Sequence, residues 1–291
     1  MSDVVSLPIS IWNQPCRPAD QARALHALEQ GSVLLFPQLL FPIEESERRL
    51  LSPTIATTSK NVSLDLHRGT LRGSRAGEAE LGLLRNMMQR FATSSAALLR
   101  NLLPCYAAGL QQGRISFRPV EIATRSSSWR KDDTRLHVDS FPSSPVQGKR
   151  ILRVFSNVNP HGQSRDWRLG ESFETVARRY LPSLPGPAWG VSQFLAWAGI
   201  TKGRRSPYDH FMLQLHDRMK ADLHYQSTAE QTACAFQAGS TWMAFTDQVS
   251  HAAMAGQYAL EQTFYLPVEY MADPSQAPLR ILERLAGGEL R

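Results

Sequence analysis

Cysteine is scarce: Cys16, Cys105 and Cys234 are spread over 291 residues. An odd number at wide spacing argues against a disulfide framework, fits a reducing cytosol and leaves no pair with zinc-type spacing. No stretch approaches the roughly 18 consecutive apolar residues of a membrane span. The opening Met1-Ser-Asp-Val-Val-Ser6 lacks a basic segment followed by an apolar core, so it does not read as a secretory signal. Internal repeats and low-complexity tracts are missing too. So is the clustered basic-aromatic motif of a nucleic-acid module, and no nucleic-acid partner is expected. Apolar residues are plentiful at 42%, enough for a sizeable core. Lys and Arg number 32 against 26 Asp and Glu, a net charge of +6 that favours an anionic partner such as a membrane surface or an acidic small substrate.

Hydrophobic periodicity and turn residues divide the chain. A helix is expected from Pro18 to about Gln30, a short buried strand over Ser32–Pro37, and a charged helix over Ile43–Leu51. Residues 60–67 alternate weakly, and Gly69 to Gly77 reads as a basic loop. Glu78 to Leu103 is the strongest helix: Leu81, Leu84, Met88, Phe91, Ala92 and Ala96 keep helical spacing until Pro104. Such a stripe belongs in a core. Extended segments follow at Arg114–Ile122, Arg135–Asp139 and Arg150–Asn157. Helices are then expected over Glu171–Tyr180, Val191–Ile200 and Pro207–Tyr225, with strands again at Gly239–Phe245 and Gln257–Glu269. The pattern is one mixed α+β domain over residues 1–291, with helices ahead of a β-core and a helical insert at about 165–226.

One motif carries chemistry. Thr134-Arg-Leu-His-Val-Asp139 reads as a strand, broken at once by Ser140-Phe-Pro-Ser-Ser-Pro145. On a strand, residues i and i+2 point the same way, so His137 and Asp139 can grip one ion. His251 lies 114 residues on, just beyond the strand Gly239–Thr246. Two imidazoles and a carboxylate suit an Fe(II) site with open coordination positions. The motif alone is weak, because 8 histidines and 12 aspartates in 291 residues give about 0.3 His-x-Asp matches by chance. A pair of hydrogen-bonded polar residues is the plain alternative. His210, His216 and His224 are formally eligible as third ligand, but they fall in a helical pattern. They read as structural or, for His210 and His216, as shaping a substrate site.

Longer blocks are more specific. His137-Val-Asp-Ser-Phe-Pro142, Arg150-Ile-Leu-Arg-Val-Phe155, Asn157-Val-Asn-Pro160, Tyr208-Asp-His-Phe-Met-Leu-Gln-Leu-His-Asp217 and Phe245-Thr-Asp-Gln-Val-Ser-His251 together resemble the bacterial Kdo hydroxylase family, over about Ser32 to Tyr270. The resemblance implies a double-stranded β-helix (jelly-roll) with helices packed outside it. It implies Fe(II) on His137, Asp139 and His251, with 2-oxoglutarate and O2 as cosubstrates. The implied substrate is Kdo-lipid A or a related lipopolysaccharide precursor, whose Kdo sugar is hydroxylated at C3 to give Ko. A cytoplasmic enzyme is implied, working at the cytoplasmic face of the inner membrane.

The far carboxylate of 2-oxoglutarate needs a cation, and Arg provides a bidentate fork. From Ala252 to Tyr270 there is no Arg or Lys, so the anchor must lie elsewhere. Arg153 is the expected anchor, in phase with Phe155 and Asn157, and Arg150 and Arg118 are the reserves. Asn157 and Gln262 are further candidates for the cosubstrate. Near the sugar, Lys60, Asn61, Arg72 and Arg130 are expected, drawn from basic loops that otherwise read as solvated surface. The stretch Pro187–Ile200 puts Val191, Phe194, Leu195 and Ala198 on one helical face beside Lys202, Arg204 and Arg205. It either packs on the barrel or lies in an anionic membrane interface. Three rival functions stay open. They are a 2-oxoglutarate-dependent hydroxylase of another acidic or protein substrate, a non-catalytic barrel holding an acidic ligand, and, last, a nucleic-acid binder.

Overall fold

Two β-sheets face each other across a polar space, with helices outside them. The computed structural model describes residues 2–57, 61–125, 127–188 and 190–291. Its strands are β1 (Val4–Ser6), β2 (Val33–Phe36), β3 (Val62–Asp65), β4 (Thr70–Arg72), β5 (Gln111–Arg118), β6 (Arg150–Asn157), β7 (Arg165–Leu169), β8 (Thr232–Phe236), β9 (Thr241–Phe245), β10 (His251–Ala255) and β11 (Ala259–Leu266). The larger sheet has the order β1-β2-β9-β6-β11-β5-β3-β4 and the smaller β10-β7-β8. From β6 onward the chain passes between them, with β6, β9 and β11 in the large sheet and β7, β8 and β10 in the small one. This is a mixed helix-and-sheet fold.

The helices are α1 (Pro18–Glu29), α2 (Glu78–Leu102), α3 (Phe173–Tyr180), α4 (Val191–Trp197), α5 (Pro207–Ala221), α6 (Leu223–Thr228) and α7 (Pro278–Ala286). Local chemistry explains their starts. Pro18 opens α1, where its missing N–H costs nothing. Ser206 and Asp209 form a reciprocal capping box ahead of α5.

Every residue of β6 is buried, because both faces of the large sheet are covered. Its outer face, with Leu152, Val154, Met243 and Phe245, shares one apolar cluster with Leu28 of α1 and Leu84, Met88 and Phe91 of α2. Its inner face puts Phe155 and Trp242 against Trp167 and Phe236 of the small sheet. The Phe236 and Trp242 rings stack with centroids 4.3 Å apart.

Four expectations are corrected. The insert does not begin at about 165, because Arg165–Leu169 is strand β7, paired with β8 and β10. Its charges hid the alternation: Arg165, Trp167 and Leu169 are buried while Asp166 and Arg168 are partly exposed. The helical insert runs instead from α3 to α6. Thr134–Asp139 is not a full strand: Thr134 lies in a turn, Arg135 in a bend, and the segment is bridged to β10 only through His137 and His251. The basic loop over Gly69–Gly77 contains β4, and the helix expected over Ile43–Leu51 is a 3-10 helix at Glu45–Leu50.

Candidate metal centre and its cavity

His137 and His251 exchange backbone hydrogen bonds of 3.0 and 2.9 Å, and the Asp139 N–H donates to the Thr246 carbonyl at 2.7 Å. These bonds hold the extended segment against the start of β10 and send all three side chains into the space between the sheets. His137 Nε2 lies 3.8 Å from Asp139 Oδ1. One ligand atom from each of His137, Asp139 and His251 falls within 4.8 Å of the others, and all three residues are buried.

The ring orientations are fixed from behind. Nδ1 of His137 sits 2.8 Å from the Arg135 carbonyl, and Nδ1 of His251 sits 2.8 Å from the Val249 carbonyl. Each Nδ1–H is therefore assigned as donor, which leaves Nε2 as the free lone pair that a metal takes. Burial lowers the pKa of His137, helped by neighbouring His251 and Lys220. Burial likewise lowers that of His251, against the opposing pull of Asp139. Burial alone would raise Asp139, but the Arg153 guanidinium outweighs it, helped by a hydrogen bond from Thr246, and the carboxyl stays below its ordinary range. Two neutral imidazoles and one ionised carboxylate are the donor set that fits a single divalent ion with positions left open.

The triad lines a cavity of about 560 Å³. Strand parity decides what else enters it. On β11, Glu261, Thr263 and Tyr265 face inward; on β5, Ser116 and Arg118; on β6, Arg153 and Phe155. Arg153 does face the cavity as expected, and its Nη1 lies 3.2 Å from Asp139 Oδ2 and 3.3 Å from Glu261 Oε1. Arg118 donates to Glu261 at 2.7 Å. Arg165, absent from the sequence expectations, enters from β7. Its Nη1 donates to the Gly256 carbonyl at 3.0 Å, and no carboxylate lies within 4.0 Å of it among the described residues. Burial, then Arg118, pushes its pKa down to about 9, still a cation at neutral pH. Gly256 is needed there: its φ is +103° and a Cβ would meet the Ser164 carbonyl oxygen at 2.8 Å. Trp167 stacks on His251 with centroids 5.0 Å apart. Arg153 Nε, Arg165 Nε and Trp167 Nε1 are all buried without a hydrogen-bond partner. Three orphaned donors around one cavity fit an anionic group that they would bind.

Three other candidates do not line the cavity. Gln262 points to the outer face of β11, where its Nε2 donates to the Gly113 and Thr263 carbonyls. Asn157 lies past the cavity, donating to the Gln163 and Phe236 carbonyls and accepting from the Asn159 N–H, so it orders the following loop. Arg150 is on the outer face, committed to Asp247 and Gln248 under the Phe245 ring. Asn61, Arg72 and Arg130 are among the residues lining the cavity, and Lys60 lies outside the described residues. His216 also lines it, with its ring 5.3 Å from that of His137. His210 instead contacts the Pro185 carbonyl, and His224 is exposed. Lys202, read in the sequence as part of a basic loop, lines the cavity too, as does Lys220, which the sequence did not single out.

Facing sheets that bury a His–Asp–His set, open to a cation-lined cavity, define a protein equipped for metal-dependent chemistry on an acidic ligand. The chain belongs to the Kdo hydroxylase family. The family model described as 3-deoxy-D-manno-oct-2-ulosonic acid (Kdo) hydroxylase matches residues 11–289. A structure of the Kdo hydroxylase KdoO, a non-haem Fe(II) α-ketoglutarate-dependent dioxygenase, in complex with α-ketoglutarate and Fe(III), is 47% identical; the match covers 99% of this chain and 97% of that one, with a TM-score of 0.96. The KdoO complex with succinate and Fe(III) is 48% identical over the same shares, with a TM-score of 0.95. The cobalt(II) complex gives 48% and 0.96 over the same shares. No curated protein matches the chain.

Proposed function

We propose that this chain is an Fe(II)- and 2-oxoglutarate-dependent dioxygenase, one catalytic domain built on a double-stranded β-helix. On this reading it hydroxylates C3 of the Kdo sugar of Kdo-lipid A to give Ko. The observation that carries the reading is the His137–Asp139–His251 set, tautomer-fixed and buried, beside orphaned guanidinium donors in one cavity. When bound to those three residues, Fe(II) supplies O2 activation coupled to oxidative decarboxylation of 2-oxoglutarate. The protein's own part is geometry and charge. Arg165, with Arg153 and Arg118, receives the far carboxylate of the cosubstrate. Arg153 also braces Asp139, and the Trp167 ring holds the plane of His251. Asn61, Arg72 and Arg130 line the side through which an acidic saccharide enters. The test is incubation of the protein with Kdo-lipid A, Fe(II), 2-oxoglutarate and O2, followed by mass analysis. Gain of one oxygen atom on the sugar with equimolar succinate is expected. Succinate without oxidised sugar would instead favour a hydroxylase of another acidic or protein substrate.

The same reading sets the enzyme against the cytoplasmic face of the inner membrane, and α4 supports this. Trp197 is 84% exposed and Phe194 58%, with Val191 and Ile200 also exposed. The helix thus leaves its apolar face open rather than packing it, and Trp189 lies outside the described residues. Arg204 and Arg205 follow, and Arg205 is tied to the Pro142 carbonyl on the cavity rim. Exposed aromatics beside cations fit an anionic bilayer. Co-sedimentation with anionic liposomes is expected, weakened by salt, and Trp197→Glu should reduce it severalfold with the melting temperature unchanged. Binding intact in Trp197→Glu would sink the docking surface.

A further inference from the structure

Helix α5 turns His216 and Lys220, one turn apart, toward the cavity. Lys220 is 2% exposed. Its Nζ donates to the Arg130 carbonyl at 3.1 Å. Among the described residues no carboxylate lies within 4.0 Å of it. Burial lowers its pKa, opposed only at longer range by Asp133, Asp139, Asp132 and Asp217. A buried ammonium with one neutral acceptor is short of a counter-ion. It is also separate from the guanidinium set. Trp167 of β7 stacks on His251, whereas α5 flanks the triad on the His137 side, where the His216 ring stands 5.3 Å away.

We propose that Lys220 binds the carboxylate of the acidic sugar and thereby sets which carbon faces the metal centre. The proposal rests on the Kdo reading above. In a 3-deoxy-2-ulosonic acid the carboxyl is C1, so C3 is only the second carbon beyond it. A cation that grips C1 beside His137 therefore delivers C3 to the centre. The competing role for Lys220 is structural, pinning the turn at Arg130, and the two roles separate on charge. Lys220→Gln keeps an N–H for the Arg130 carbonyl but loses the cation, while Lys220→Arg keeps the cation.

The experiment compares Kdo-lipid A with its Kdo methyl ester on the whole enzyme loaded with Fe(II) and 2-oxoglutarate. Wild type should favour the acid over the ester by about tenfold or more in kcat/KM. Lys220→Gln should raise KM for the acid about tenfold, more than it moves KM for 2-oxoglutarate, and erase the preference. Lys220→Arg should restore most of it. An unchanged acid-to-ester ratio in Lys220→Gln overturns the proposal. Should that variant not fold, a wild type indifferent to esterification overturns it equally. Failure of the Kdo reading itself looks different: wild type oxidises neither sugar.

Discussion

His251→Ala is expected to strip the protein of iron and lower succinate formation by more than about a hundredfold, with the fold intact. Loss of a partner behind a metal ligand already costs about 10–100-fold, and a ligand itself is worth more. The fold should survive because the bridge joining the two halves of the site is made by backbone atoms of His137 and His251, not by their rings. His137→Ala and Asp139→Ala should behave alike in iron content. In Asp139→Ala, Arg153 keeps Glu261 as a counter-ion 3.3 Å away, so the vacated site need not collapse. Metal analysis after anaerobic loading with Fe(II), together with a thermal melt, checks all three. Full activity with unchanged metal content in His251→Ala would overturn the assignment. His216, whose ring lies beside that of His137, would then be the histidine to test.

Particular residues show how far the sequence could be read. β6 falls at Arg150–Asn157 as expected, because a short run carrying Ile151, Val154 and Phe155 between Gly148 and Pro160 favours a strand by length, flanks and β-branched content. The ends of α2 are equally plain, set by a long apolar stripe and Pro104. His137 and Asp139 were legible from spacing two, which puts both on one side even without a full strand. Gln262 was misplaced for a physical reason. On β11 nearly every residue is buried, so alternation vanishes and one step of parity swaps Gln262 for Glu261 or Thr263. β7 was missed because its inward residues include a buried arginine, which in sequence looks like surface. Lys220 and His216 had the spacing of a helical face, but amphipathic surface helices share it. For α4 the apolar face was visible, and only tertiary packing decides whether it is covered.

Arg165→Ala should raise the 2-oxoglutarate requirement about a hundredfold, more than the same change at Arg153. Removing one partner of a buried charge pair costs about 3–5 kcal/mol, of which roughly 3 kcal/mol corresponds to two orders of magnitude. The ranking follows from what each guanidinium already has. Arg153 sits between Asp139 and Glu261, and Arg118 between Glu261 and Asp133, so both are partly neutralised before any ligand arrives. Among the described residues Arg165 has only a carbonyl as hydrogen-bond partner, and burial together with Arg118 depresses its pKa to about 9. The unliganded fold therefore bears the cost of this charge, and a dicarboxylate relieves it. Two opposite effects should accompany the substitution. The melting temperature of the ligand-free protein should hold or rise, since an uncompensated buried cation is gone. The further rise that 2-oxoglutarate gives the wild type should disappear, by the linkage between binding and stability. Titration of 2-oxoglutarate into iron-loaded Arg165→Ala and Arg153→Ala proteins, read by binding and by melting, tests the ranking. A normal affinity in Arg165→Ala with a hundredfold loss in Arg153→Ala would return the anchor to β6.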